Sequence, residues 1–230
     1  MNILVVAAHP DDEVLGCGGT IAYHIAQGDS VHVIILAEGI TARDQSRNRQ
    51  AHDGDLSQLA QAAEQAHKIL KTTTLKLLDL PDNRLDSLDR LDVVKHIEQY
   101  VAQYQPTVVY THHSSDVNVD HRRVHEAVVT ACRPQPGFCV TRLLFFEVAS
   151  STEWQPPQSG HYFMPNWFVN IESTLALKLQ ALDAYASEMR QFPHPRSLKA
   201  VEHLARWRGA CVGVNAAEAF VLGREIIGKH

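Results

Sequence analysis

The chain has 230 residues, a net charge of −5, 45% hydrophobic and 20% charged residues, enough to bury a sizeable core and ordinary for a globular protein. The acidic balance argues against a dedicated nucleic-acid or anionic-membrane surface. No apolar run is long enough to span a bilayer, and residues 1–8 lack the basic flank of a secretory signal.

Residues 2–8 form a continuous Ile- and Val-rich run, a predicted strand buried on both faces. A turn at residue 11 leads into a predicted helix running to about residue 27, where Gly28-Asp29 ends it. A second buried strand is predicted over 31–36. Residues 41–55 are polar and read as a long surface loop, which in a compact domain is often functional. Leu56, Leu59, Ala63, Ala66 and Leu70 recur at helical spacing over 56–70. A third strand is predicted over 75–80, a helix over 88–104, a fourth strand over 107–111, and a helix over 120–132 capped by Asn118 or Asp120. Further strands are predicted at 142–147, 167–170 and 219–222, and helices at 172–188 and 197–209. Residues 150–165, with Pro156-Pro157 and Ser159-Gly160, read as a loop. Four strand–helix alternations predict an α/β fold built of βαβ units over a single domain, 1–230. Its sheet is mostly parallel, with helices on both faces and the ligand site at the carboxyl ends of the strands.

Two segments rich in potential ligands fall at such strand ends. The first is Ala8-His9-Pro10-Asp11-Asp12-Glu13. Three adjacent acids repel one another, and a cation would relieve the repulsion. One His and one carboxylate suit a metal, and a second carboxylate suits a base acting on a bound water. A helix N-terminus, which favours acids, accounts for Asp12 and Glu13 but not for His9 with Asp11. The glycines at 16, 18 and 19 miss the dinucleotide-loop spacing and suit close helix-to-strand packing.

The second segment runs from Thr111-His112-His113 to Asp116, Asn118, Asp120, His121 and His125. His121 and His125 share a helix face, but position 122 is Arg, so the H-E-x-x-H reading fails at its general base. The chain carries 14 histidines in all, and neutral imidazole is the commonest metal-binding side chain. Four cysteines, Cys17, Cys132, Cys139 and Cys211, show no C-x-x-C. Structural disulfides are therefore not expected, and a cytoplasmic location is.

Together these segments resemble the PIG-L (LmbE-like) N-acetylglucosaminyl deacetylases. The A-H-P-D-D-E signature is complete at 8–13. The H-x-D-H signature stands as Asn118-Val119-Asp120-His121, with its first His replaced. Leu80-Pro81-Asp82 and Glu218-Ala219-Phe220 add weaker similarity. The resemblance implies a Rossmann-like fold and one catalytic Zn2+, other divalent metals being possible, held by His9, Asp12 and His121, with Asp11 as general base. It implies Asp82 as a contact to sugar hydroxyls. The missing His is thought in the family to stabilise the oxyanion or donate a proton, oriented by the Asp two residues on. Here His113, His112 or His194 could fill the gap beside Asp120. Alternatively Asp120 caps its helix and Asn118 donates its own amide hydrogen bond.

The expected catalytic set is thus Asp11, Asp120 and His113, with Asp82, Arg49, Asn118 and His194 against substrate. Arg43 and Arg47 are further candidates for a phosphate or carboxylate contact, and Trp154, Tyr162 and Trp167 for a pocket wall. The expected partner is a small N-acetylated amino sugar. No nucleic acid and no integral membrane segment are expected, and a homo-oligomer is left open. Competing readings are a metal-dependent amidase acting on a non-sugar amide or thiol conjugate, a nucleotide-binding domain and an inactive relative.

Overall fold

The structure is a computed structural model that describes residues 1–156 and 162–228. Pro157, Ser159 and Gly160 of the expected loop lie outside the described residues. Thirteen elements follow the predicted order: β1 (Asn2–Ala7), α1 (Asp12–Ala26), β2 (Ser30–Ala37), α2 (Asp53–Leu70), β3 (Thr74–Leu80), α3 (Arg90–Tyr104), β4 (Val108–His112), α4 (Val119–Ala131), β5 (Arg142–Phe146), β6 (Trp167–Asn170), α5 (Leu175–Ala184), α6 (Leu198–Ala210) and β7 (Ala217–Glu225). The strands make one sheet in the order β3-β2-β1-β4-β5-β7-β6. β1 to β5 pair in parallel, β7 runs antiparallel to β5, and β6 antiparallel to β7.

Alternate residues of β1, with Ala8 just beyond it, feed two cores. Ile3, Val5 and Ala7 pack with α1 and α2, whereas Leu4, Val6 and Ala8 pack with α3 and α4. Burial on both faces is why the strand reads as an unbroken apolar run. The connection leaves β1 toward β2 on one side and β4 lies on the other, so the carboxyl end of β1 is the point where strand order reverses. A crevice forms there in sheets of this kind.

Two helices depart from their predicted form, each for a reason visible in side chains. α1 is broken at Cys17, whose φ of −147° and ψ of 24° are not helical. The carboxylate of Glu218 on β7 takes up the N–H groups of Gly19 and Thr20 at 2.9 and 2.6 Å. Lys178 of α5 neutralises that carboxylate at 2.6 Å and also donates to the Leu15 carbonyl. All of this is buried. At Gly16 a Cβ would lie 2.3 Å from the Phe146 ring, so α1 approaches β5 as closely as glycine permits. α5 ends at Ala184, short of the predicted 188, because fully buried Tyr185 turns its hydroxyl onto Glu13 at 2.8 Å.

Removing Glu218 leaves a buried ammonium without its counter-ion and two N–H groups without an acceptor. Glu218→Ala is expected to cost about 3–5 kcal/mol, read as a lower urea midpoint at unchanged slope. Glu218→Gln combined with Lys178→Met should recover part of that loss. Equal losses in both proteins would show that the charge pair is not what Glu218 supplies.

Candidate active site

The turn after β1 places the first segment. Asp11 sits at φ 103° and ψ −29°, a left-handed conformation uncommon outside glycine. Its N–H donates to Glu13 Oε2 at 3.1 Å, and Glu13 is held in turn by Tyr185 and by His67 at 3.2 Å. The strained turn projects the Asp11 carboxylate to Arg196 Nη1, 3.1 Å away. Burial and the neighbouring carboxylates of Asp12 and Glu13 push the Asp11 carboxyl well up, despite the opposing pull of Arg196.

Asp12 Oδ2 lies 3.2 Å from His9 Nδ1 and 3.1 Å from His121 Nε2. Its Oδ1 is buried with no hydrogen-bond partner. A ligand atom from each of His9, Asp12 and His121 lies within 4.8 Å of the others. Burial disfavours charge on His9, but the carboxylates of Asp12, Asp120 and Asp82 outweigh it and raise its pKa well above the usual value. His121 likewise overcomes burial, through Asp12 and Asp116, and is raised to about 9. The site therefore attracts positive charge. An orphaned carboxylate oxygen beside two imidazoles is a donor set that fits one divalent cation.

His9 also belongs to a second set, with Asp82 and Asp120. His9 Nε2 is 3.0 Å from Asp120 Oδ2 and 3.2 Å from Asp82 Oδ1. Those acids are already committed. Asp120 accepts the N–H groups of Asn83 and Leu85 at 2.7 and 2.9 Å, and Asp82 accepts from Ala42 and from the Asn83 amide. The set with Asp12 fits a cation better, because only Asp12 has an oxygen to spare.

Asn118 caps α4, its side chain accepting the Asp120 N–H at 2.8 Å. Asp120 is thereby freed to tie down the loop after β3, and the imidazole facing its carboxylate is His9. His112 accepts the Ala8 N–H at 2.8 Å and stacks on His121 with ring centroids 4.0 Å apart. Burial and the charge of His121 hold its pKa well below the usual value, so it serves as a neutral support. His113 packs edge-on against Phe163 and is outside the cavity lining. His194 accepts the Arg196 N–H at 3.1 Å and meets Trp154 edge-on. His125 bonds the His112 carbonyl.

A cavity of about 420 Å³ opens above these groups. His9, Asp11, Asp12 and His121 line it, with Asp82, Asn83 and Asn118 from the loops after β3 and β4. Arg43, Ser150, Trp154, Glu188 and Arg196 are also in the lining. Arg49 stands elsewhere, bonding Asp79 at 2.8 Å and facing Glu38, and Arg47 also pairs with Glu38. Tyr162 and Trp167 are outside the lining, and Trp167 stacks under Arg142.

Two groups escaped the sequence reading. Asp116 Oδ2 orients His121 Nδ1 at 3.1 Å, and Asp116 itself accepts from Ser151, Thr152 and the Asn118 N–H. Despite burial, these partners lower its carboxyl to about 2. Arg196 approaches from the segment before α6, 185 residues from Asp11. Asp116 had a signal, an acid within the histidine-rich loop. Arg196 had none.

Comparison with known proteins places these features. The pattern of the GlcNAc-PI de-N-acetylase (PIG-L) family matches residues 4–132. The uncharacterized deacetylase YaiS of Escherichia coli K12 is 28% identical over 81% of this chain and 91% of its own length. A Bacillus cereus protein named as a probable N-acetyl-α-D-glucosaminyl L-malate deacetylase is 28% identical over 81% of this chain and 83% of its own. Among solved structures, the 4-carboxy-2-hydroxymuconate hydratase GalB of Pseudomonas putida superposes with a TM-score of 0.78. It is 21% identical, over all of this chain and 98% of that one, which shows a shared fold alone. With the family pattern spanning the motif-bearing strands β1 to β4, the chain belongs to the PIG-L family of de-N-acetylases.

Proposed function

We propose that this protein is a zinc-dependent hydrolase that removes the N-acetyl group from an amino sugar or its conjugate, releasing acetate and a free amine. The observation that carries the reading is the buried, unpartnered Asp12 Oδ1 beside His9 and His121, with the Asp11 carboxylate in the same cavity. The deacetylase relatives support the reaction, and the B. cereus relative supports an amino-sugar substrate. A single domain over 1–230 and a cytoplasmic setting complete the proposal. Buried thiols at Cys17 and Cys132 fit that setting. No helix among the described residues is long and apolar enough to cross a membrane.

His9, Asp12 and His121 would hold the ion. When bound, a zinc ion supplies a Lewis acid that polarises an amide carbonyl and makes water acidic near neutral pH. The remaining work falls to this chain's side chains. Asp11 takes the proton from the attacking water and returns it to the departing nitrogen. Arg196 fixes the Asp11 carboxylate at 3.1 Å, and the Glu13–Tyr185 bond holds the turn that aims it. Asp116 keeps the His121 ring oriented, the part an acid plays behind a ligating imidazole. Asp82 and Asn118 present polar atoms for sugar hydroxyls, and Trp154 offers a ring face for the sugar to lie against.

A panel of N-acetylated amino sugars, assayed for free amine with and without a chelator, tests the reading. Amine release that the chelator stops is expected. Release only from non-sugar amides would favour the amidase alternative.

Three outcomes follow from the side-chain roles. Asp11→Asn keeps a residue that tolerates the left-handed turn. It should lower kcat by about 10²–10⁴-fold while metal content, measured by atomic absorption, stays near native. Asp116→Asn leaves the ligands in place and should cost about 10–100-fold in metal affinity or activity. Its retention of full affinity and full rate would remove Asp116 from the site's working parts. Finally, His9 and His121 are raised in the metal-free protein, so protons compete for the ligand nitrogens at neutral pH. Metal uptake at pH 7 should release about two protons, and affinity should fall as pH drops from 8 to 6. Calorimetry in buffers of different ionisation enthalpy reads both effects. Uptake without proton release would contradict the charge state derived for the two rings.

A further inference from the structure

The hydrogen-bonding capacity of the cavity is unbalanced. Asp12 Oδ1 aside, the acceptors on its Asp82, Asn118 and Glu188 are engaged: Asp82 by Ala42 and Asn83, Asn118 Oδ1 by Asp120, and Glu188 by Arg43 at 3.0 and 3.4 Å. Its guanidinium donors are engaged only in part. Arg196 uses Nε on Ser150 Oγ at 3.0 Å and Nη1 on Asp11, and its Nη2 has no protein acceptor among the described residues. Arg43 uses only Nη2, leaving Nε and Nη1 without acceptors among the described residues. Both guanidiniums line the same cavity as Trp154. Arg196 is also rigidly presented. Its N–H is held by His194, its carbonyl accepts the Arg190 N–H at 3.0 Å, and Ser197 caps α6 immediately after it.

Resting on the deacetylase reading, we infer that Arg43 and Arg196 form a subsite for a carboxylate carried by the substrate, so that the preferred substrate is an acidic N-acetylated amino sugar or conjugate. Guanidinium forks match carboxylates in plane and spacing, and charge-assisted bonds are about twice as strong as neutral ones. A sugar hydroxyl would accept one of these N–H groups, whereas a carboxylate accepts several at once. Each guanidinium already faces one protein carboxylate, Glu188 for Arg43 and Asp11 for Arg196. A phosphate dianion would bring a second negative charge against Glu188, which already faces Arg43.

The test is equilibrium binding of three acidic probes against their methyl esters. The probes are N-acetylmuramic acid, an N-acetylglucosamine uronic acid and a carboxymethyl N-acetylglucosaminide, titrated calorimetrically at low salt. At least one acid should bind about tenfold more tightly than its ester, with the preference shrinking as salt rises. Arg43→Met and Arg196→Met should each bring the acid-to-ester ratio toward one, and Arg43→Lys should recover part of it. Because the ratio is taken within one protein, a general loss of binding in a damaged variant does not mimic the effect. Three acids that bind no better than their esters, or a preference that survives both Met variants, would overturn the subsite. Acetate release is read in parallel. Acid preference without release from any probe supports the subsite and defeats the deacetylase reading instead.

Discussion

Four carboxylates, Asp12, Asp82, Asp116 and Asp120, are buried around two imidazoles at the carboxyl end of β1. Burying ionised acids is costly unless each is paired or hydrogen-bonded. Three of the four are compensated by the protein: Asp120 and Asp82 by backbone and amide N–H groups, Asp116 by two hydroxyls and an N–H. Asp12 is not, because one of its oxygens has no partner. The rings of His9 and His121 answer by holding protons. A divalent cation would supply the same charge at one point, which is why the case for a metal follows from the acids rather than from the histidines.

The sheet serves this constraint by bringing distant segments to one place. Reversal of strand order beside β1 sets the turn at residues 9–12 next to the loop after β4, and the loop after β3 closes over both through Asp120. The helix that starts at Asp12 must then remain close to the sheet, and it does so by breaking. Glu218 reaches across from β7 to take up the N–H groups at the break, with Lys178 beneath it. The weak Glu218-Ala219-Phe220 similarity thus has a physical basis, because this acid fixes the position of the helix that begins at Asp12 from the far side of the sheet.

Much of this was legible in the sequence. The alternation of apolar runs with helical spacing set the parallel part of the sheet, and two polar clusters at strand ends pointed to the crevice. The candidate ligands His9, Asp12 and His121, drawn from the residues 9–13 signature and the start of α4, lie together in the folded chain. What stayed hidden depended on long-range contacts. Arg196 lies between His194 and Ser197 in a segment that reads as a turn, and only the folded chain brings it to Asp11. The early end of α5 depends on Tyr185 finding Glu13, 172 positions away. Arg49 read as a site residue because the loop is polar, but Asp79 and Glu38 capture it. His113, a neighbour in sequence of the site-supporting His112, points to Phe163, because successive residues leaving a strand face opposite sides.

The replacement at position 118 shows how one substitution redistributes roles. In the signature this chain resembles, a His there is taken to be oriented by the Asp two residues later. Here the shorter Asn118 caps α4, and its side chain is spent on the Asp120 N–H. The Asp120 carboxylate, relieved of capping and of a neighbouring His, binds the Asn83 and Leu85 N–H groups and faces His9. An acid that would orient a proton donor has become one that fixes the substrate-side loop and a metal-ligand candidate together. Guanidinium donors in the cavity come from other loops, as Arg43 and Arg196. GalB, a hydratase, shares the backbone, so the fold does not choose the reaction. The choice lies in which side chains the crevice loops hold over His9, Asp12 and His121, and in this chain those loops offer guanidinium groups.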